Sequence, residues 1–270
     1  MIVRDFLAGA IATLKTAGIE GAQTDAEVIL AHTLQQDRAW LLAHDDTELN
    51  SEQLKQAQRF VQKRSKRIPM SYVLGMREFA GLEFKIDDRA LTPRVETETI
   101  VAEVTKRVSK EVRVLDIGTG SGAMAIALKH LRPDLQVVAS EVSPEALELA
   151  CENANNLLAS DNKIDFVQSD LFENIDGKFD VIVANLPYVT RNMELMPEVQ
   201  NEPDVALFGG ADDGLDLYRK FFAELPDYIH VKAQVWTESD PWQQNDLIEL
   251  AKACGLKNIF QDYFILGFEK

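Results

Sequence analysis

The stretch VLDIGTGSGAMAIAL, Val114 to Leu128, decides the fold. A short apolar run ends at Asp116-Ile117, glycines fill positions 118, 120 and 122, and a run of helix formers follows. That order reads as strand, tight turn and helix. Glycine tolerates positive φ and lets a ligand approach the backbone closely, and ligands of open parallel sheets lie beyond the carboxyl ends of the strands. Asp116, Gly118, Thr119, Gly120, Ser121 and Gly122 are therefore the first candidate binding residues. Gly118-x-Gly120-x-x-Ala123 also satisfies the pattern that cradles a dinucleotide pyrophosphate, so the loop leaves the ligand open.

Strands and helices alternate on both sides of this stretch. A helix is expected near 96–109, then strands VRVLDIG, LQVVASE, IDFVQSD and FDVIVAN, with helices GAMAIALKHL and SPEALELACENANNLL between the first three. A helix near 214–225, the strand VKAQVWTE, the helix WQQNDLIELAKAC and a final strand region in NIFQDYFILGFEK complete the run. Short apolar strands of this kind belong to a doubly wound, mostly parallel sheet with both faces covered. Upstream, residues 2–74 carry helical spacing, with Thr24 and Ser51 as candidate caps. EFAGLEFKIDDRALTP, residues 78–93, alternates around Gly81 as a hairpin does. The expected organisation is a helical domain over 1–75, a β-hairpin linker over 76–93 and an α/β domain over 94–270.

Polar residues recur where the expected strands stop. Glu141 is suited to ribose hydroxyls, Asp170 to an adenine amino group, and Leu171 and Phe172 to the apolar ring. The fourth strand ends in Asn185-Leu186-Pro187-Tyr188. Asn185 offers a carbonyl oxygen, Pro187 biases Leu186 toward an extended conformation in which its carbonyl is held as a second acceptor, and Tyr188 offers a flat face. Two acceptors beside a flat face suit a planar NH2 group. Its delocalised lone pair makes it a poor nucleophile, and fixed acceptors favour the charge that develops as it attacks a methyl sulfonium.

Composition narrows the partners. The 270 residues hold 28 Lys and Arg against 44 Asp and Glu, a net −16 that opposes binding a phosphate backbone. Basic residues still cluster at Lys55, Arg59, Lys63, Arg64, Lys66, Arg67 and Arg77, while 192–216 holds seven acids and no Lys or Arg. Most of these charges read as solvated surface. Cys151 and Cys254 lack metal-ligand spacing and are expected to be buried free thiols of a reducing compartment. No metal is expected. No run approaches membrane-spanning length, so a cytoplasmic protein is expected.

On these residues the chain resembles the class I S-adenosylmethionine-dependent methyltransferases, which have a Rossmann-like sheet. Within them it resembles the HemK/PrmC family that methylates the glutamine of peptide chain release factors. Asn185 to Tyr188 is similar to that family's Asn-Pro-Pro-Tyr, LTPRVETE to its Pro-Arg-x-Glu-Thr-Glu segment, and NEPDVALFGGADDGLDLY to its Asn-Glu-Pro…Asp-Gly-Leu run. The resemblance implies S-adenosylmethionine as cofactor, with S-adenosylhomocysteine as product. It places Gly118 to Gly122 and Glu141 on the methionine and ribose parts and Leu171 near the adenine. Asn185, Leu186, Pro187 and Tyr188 would hold the substrate amide, with Asn185, Pro187 and Tyr188 catalytic and Asn185 also bordering the cofactor, as Arg94 and Glu98 would. The implied partner is a release factor presenting a Gly-Gly-Gln glutamine, docked with help from the helical domain. No membrane or nucleic acid is expected as partner, and a monomer is expected. Glutamine methylation of a ribosomal protein and adenine-amino methylation of nucleic acid are the alternatives. Two departures stand out: Ala80 where relatives often carry an aromatic residue, and a short end that leaves the last hairpin tight or one strand absent.

Overall fold

A computed structural model describes residues 1–210 and 212–270. The chain divides into two units, the first formed by residues 1–75 and 195–201, the second by 76–194 and 202–270.

The first unit is helical: α1 (Val3–Thr16), α2 (Ala22–Leu34), α3 (Arg38–Ala43), α4 (Ser51–Ser65) and α5 (Met70–Leu74). Its core gathers Phe6, Leu14, Ile29, Leu30, Leu41 and Val61, which recur at helical spacing and so present one apolar face per helix. The caps differ from those expected. Gly21 precedes α2, leaving Thr24 inside the helix. Asn50 rather than Ser51 caps α4, because its Oδ1 accepts from the amides of Glu52 and Gln53 while Gln53 Oε1 receives the Asn50 amide. Part of the basic cluster is structural: Arg64 is buried between Asp25 at 2.7 Å and Glu198 at 2.8 Å, and Arg67 joins Glu198 at 3.1 Å.

The second unit opens with the hairpin β1 (Met76–Phe79) and β2 (Leu82–Lys85). Its two-residue turn holds Ala80 at φ 49° and Gly81 at φ 78°, the pairing that a primed hairpin turn demands. There follow α6 (Glu98–Arg107), β3 (Arg113–Ile117), α7 (Ala123–Leu131), β4 (Gln136–Glu141), α8 (Pro144–Leu157), β5 (Asp165–Gln168) and β6 (Phe179–Ala184). The remainder is β7 (Val189–Thr190), α9 (Asp204–Leu207), β8 (Phe208–Gly210), α10 (Asp216–Glu224), β9 (Ile229–Glu238), α11 (Gln244–Ala253), β10 (Lys257–Gln261) and β11 (Ile265–Glu269).

Seven strands form one sheet in the order β10-β11-β9-β6-β3-β4-β5. β9, β6, β3, β4 and β5 run parallel, and β11 is antiparallel to both neighbours. This is the Rossmann-like sheet of class I methyltransferases, with its switch of strand order between β3 and β6, where a ligand crevice forms. Both strands of the last hairpin are present, joined by a tight turn closed by the Asp262 amide on the Ile265 carbonyl at 2.9 Å. Beneath the sheet, Tyr218, Phe221, Phe222, Val235 and Phe268 are fully buried. Cys151, within α8, and Cys254, just after α11 with its Sγ donating to the Phe222 carbonyl at 2.9 Å, are free thiols but half-buried rather than buried.

Candidate active site

The carboxyl ends of β3, β4 and β6 and the segment after β5 open on one cavity of about 310 Å³. Gly118, Thr119, Gly120, Ser121, Glu141, Asp170, Leu171, Asn185, Leu186 and Pro187 all line it, as does Arg94. Five expected residues do not. Phe172 is fully buried in the core beneath the sheet, and Glu98 instead accepts the Ala80 amide at 3.1 Å. Asp116 lies beneath the loop, wholly buried. Gly122, at φ 83°, faces the packing of α7 on α8: a Cβ there would come within 2.8 Å of Ile126 Cδ1 and 3.1 Å of Ala150 Cβ. Tyr188 turns its ring toward the core under the sheet.

Asp116 anchors the loop. Its Oδ2 accepts from Thr119 Oγ1 at 2.6 Å and from the Ala125 amide at 3.0 Å, so one carboxyl ties the turn to the first turn of α7. Burial pushes this carboxyl up to about 7; the two hydrogen bonds oppose the rise and the nearby Glu141 charge adds to it. Its Oδ1 has no hydrogen-bond partner among the described residues. Glu141 closes the loop from the next strand, accepting the Gly120 amide at 2.9 Å and the Ser143 amide at 3.0 Å. Beyond Gly120 nothing lies within 4 Å of where a Cβ would stand, so the backbone is bare toward a ligand. A cavity with carboxylates, open loop backbone and the apolar walls of Phe79, Met124 and Leu171 has the donor set for a molecule with a cationic or hydroxylated part and a flat apolar ring.

Beside the loop, with Leu186 Cδ2 3.3 Å from where a Cβ on Gly118 would stand, lies the Asn185 segment, held from behind. A Cβ on Gly209 would overlap the carbonyls of Pro187 and Gly214, and one on Gly214 would overlap the Tyr188 carbonyl. Close backbone approach is the physical reason for glycine in LFGGADDG. Gln243 Nε2 donates to the Tyr188 carbonyl at 2.9 Å and the Asp213 carbonyl at 2.6 Å. On the side-chain side, Asn185 Nδ2 donates to Thr97 Oγ1 at 3.2 Å, Thr97 donates to Glu238 Oε2 at 2.5 Å, and Tyr188 OH donates to Glu238 Oε1 at 3.2 Å. Burial pushes the Glu238 carboxyl up, against the hydrogen bonds from Thr97, Tyr188 and Asn185. Burial and the Glu238 and Asp240 charges push the Tyr188 phenol up as well, so it stays protonated. At the rim Arg94 pairs with the buried Glu202.

A family model described as the PrmC N-terminal domain matches residues 5–75, and one described as the methyltransferase small domain matches residues 95–202. The release factor glutamine methyltransferase of Geobacter sulfurreducens is 38% identical over 251 residues, which is 92% of this chain and 87% of that protein. The chain belongs to the release factor glutamine methyltransferase family. A further family member from Deinococcus radiodurans is 37% identical over 246 residues, 89% of this chain and 87% of its own length. Among solved structures, a methyltransferase from Pyrococcus furiosus has a TM-score of 0.54 at 21% identity, covering 70% of this chain and 89% of its own, a likeness of fold. Membership in the release factor glutamine methyltransferase family bears out the resemblance read from the sequence.

Four residues that hold this site together were missing from the sequence-derived set: Thr97, Asn153, Glu238 and Gln243. Asn153, buried on α8, accepts the Lys85 amide at 2.8 Å and donates to the carbonyls of Lys85 and Ser121, clamping the hairpin to the glycine loop. Glu238 carried a usable signal. It ends an apolar strand on the same rim as Glu141 and Asn185. Nothing local marked Asn153 or Gln243.

Proposed function

We propose that this chain transfers one methyl group from S-adenosylmethionine to the side-chain amide nitrogen of the glutamine in the Gly-Gly-Gln motif of a peptide chain release factor. Chiefly, the reading rests on Asn185-Leu186-Pro187 lining one cavity together with the glycine loop, in a chain of this family. Glu141 and the loop from Gly118 to Ser121 would hold the cofactor's hydroxyl and methionine parts, with Asp170 and Leu171 toward the adenine. A cation bound beside this loop would draw the proton from Asp116, whose carboxyl already sits near neutrality. When bound, S-adenosylmethionine supplies an electrophilic methyl on a sulfonium.

The remaining chemistry belongs to the chain's own residues. Asn185 Oδ1 and the Leu186 carbonyl accept the two hydrogens of the substrate NH2 and hold its nitrogen in line for attack. As the new N–C bond forms, positive charge grows on that nitrogen, and the two acceptors stabilise it more than they stabilise the neutral amide. The proton then lost is strongly acidic, so no strong base is needed. Tyr188, held by Glu238, keeps the segment rigid rather than stacking on the ligand. The reaction belongs to the cytoplasm, where release factors act.

The test is methyl incorporation into a purified release factor compared with a variant whose Gly-Gly-Gln glutamine is replaced by glutamate. Incorporation into the first and none into the second supports the reading. Equal incorporation into both, or incorporation only into a ribosomal protein or nucleic acid, overturns it.

A further inference from the structure

An asparagine amide is nearly symmetrical in shape, yet only its oxygen can accept a hydrogen from a substrate NH2. Something in the fold must therefore choose which end of Asn185 faces the cavity. The choice follows from counting protons along the chain of groups behind it. Glu238, at the end of β9 and 2% exposed, presents two acceptor oxygens. Thr97 Oγ1 lies 2.5 Å from Oε2 and Tyr188 OH lies 3.2 Å from Oε1. A hydroxyl has one proton. If Thr97 gives its proton to Glu238, the Thr97 oxygen is left only as an acceptor, and the group 3.2 Å away on Asn185 must be the donor, Nδ2; the direct hydrogen bond from Asn185 to the Glu238 carboxylate asks for the same end. A flipped Asn185 would set Oδ1 against Thr97 Oγ1 with no proton between them. A proton on Oε1 of Glu238 would pass toward the Tyr188 oxygen and leave the Thr97 bond unchanged.

The carboxylate is itself held in place. Tyr218 OH, fully buried, donates to the Glu238 backbone carbonyl at 2.6 Å and receives the Leu186 amide at 3.4 Å, so the ends of β6 and β9 share one anchor.

We propose that Glu238, acting both directly and through the Thr97 hydroxyl, is a positioning residue that fixes the amide of Asn185 with its oxygen toward the substrate nitrogen. This rests on the proposed function only in taking that oxygen to receive a substrate NH2. Neither Glu238 nor Thr97 supplies or removes a proton in the reaction; both act through Asn185.

The test compares Thr97→Val, Thr97→Ser and Glu238→Gln with wild type. Thr97→Val deletes one of the two acceptors of the Asn185 NH2 while keeping the volume, and kcat should fall about ten-fold with KM for both substrates and the melting temperature nearly unchanged. Thr97→Ser restores the hydroxyl and should recover most of kcat. Glu238→Gln can donate to Thr97, which then donates to Asn185 Oδ1, so kcat should fall while S-adenosylmethionine still binds. Amide orientation is read without any substrate from 15N-asparagine-labelled protein, in which the Asn185 NH2 protons should show cross-relaxation to the Thr97 methyl, weakened in Glu238→Gln. Wild-type kcat in Thr97→Val, equal loss in Thr97→Ser and Thr97→Val, or no contact between the Asn185 NH2 and Thr97 would each overturn the proposal. A release factor left unmethylated by wild type would instead count against the proposed function, with the labelled spectrum still deciding the orientation.

Discussion

Around the glycine loop, Asp116 finds its partners three and nine residues away, at Thr119 and Ala125. Around Asn185 the partners come from far along the chain: Thr97 is 88 residues distant, and Tyr188 reaches Glu238 across 50. One half of the cavity is a local turn between a strand and a helix. The other is assembled only after β6, β9 and the segment before α6 have come together. A local half can be read from a short quotation of sequence and carries its strain within itself, whereas an assembled half depends on the correct pairing of strands.

The largest effect expected from the local half is on stability. A carboxyl with an ordinary value of 3.8, held near 7 in the fold, contributes at most about 4 kcal/mol by linkage. The sign follows from its being raised: the contribution is fully present below about pH 4, where folded and unfolded chains are both protonated. It is lost as pH rises to about 7, because the unfolded chain releases the proton first. Denaturant melts of ligand-free protein should show this decline, and Asp116→Asn should flatten it. An unchanged slope in the variant would remove Asp116 as its cause.

Next in size is the assembled half's chemistry. Asn185→Ala should lower kcat by about 10²–10³-fold, the range seen when one preorganised polar group is removed from a developing charge. Cofactor affinity, measured by calorimetry, should change far less, because the local half is untouched.

Gly122→Ala tests whether the loop is as self-contained as its sequence implies. The positive φ and the overlap with Ile126 and Ala150 should cost roughly 2–3 kcal/mol, read as a lowered denaturation midpoint. Asn153→Ala blurs the comparison, because it removes three long-range hydrogen bonds from the local half. A loss of roughly 2 kcal/mol is expected, with weaker cofactor binding as the Ser121 carbonyl is freed. At the small end, Lys252→Ala breaks only the exposed 2.6 Å pair with Glu249 on α11 and should shift stability by less than about 0.5 kcal/mol.

The same contrast explains what was legible. The strand–glycine–helix rhythm between Val114 and Leu128, the polar residues ending β4 and β6, and the helical upstream region all follow from periodicity and turn chemistry, which act over a few residues. Membership of residues 195–201 in the helical unit does not, because Glu198 is placed there by Arg64 and Arg67, more than a hundred residues away. Tyr188 was read as a stacking face. Its hydroxyl instead answers to Glu238, and no local pattern distinguishes an aromatic ring turned into a cavity from one turned into a core. The caps moved for a similar reason: Asn50 and Ser51 are adjacent and equally suited, and Gln53 settled the matter by closing the box on Asn50.

The central claim is that the two halves meet around a glutamine amide. The measurement that tests it most directly is tandem mass spectrometry of a release factor incubated with this chain and S-adenosylmethionine. One methyl on the side-chain nitrogen of the Gly-Gly-Gln glutamine is the predicted result. An unmodified glutamine there, with methyl found on a ribosomal protein or an adenine under the same conditions, would contradict it.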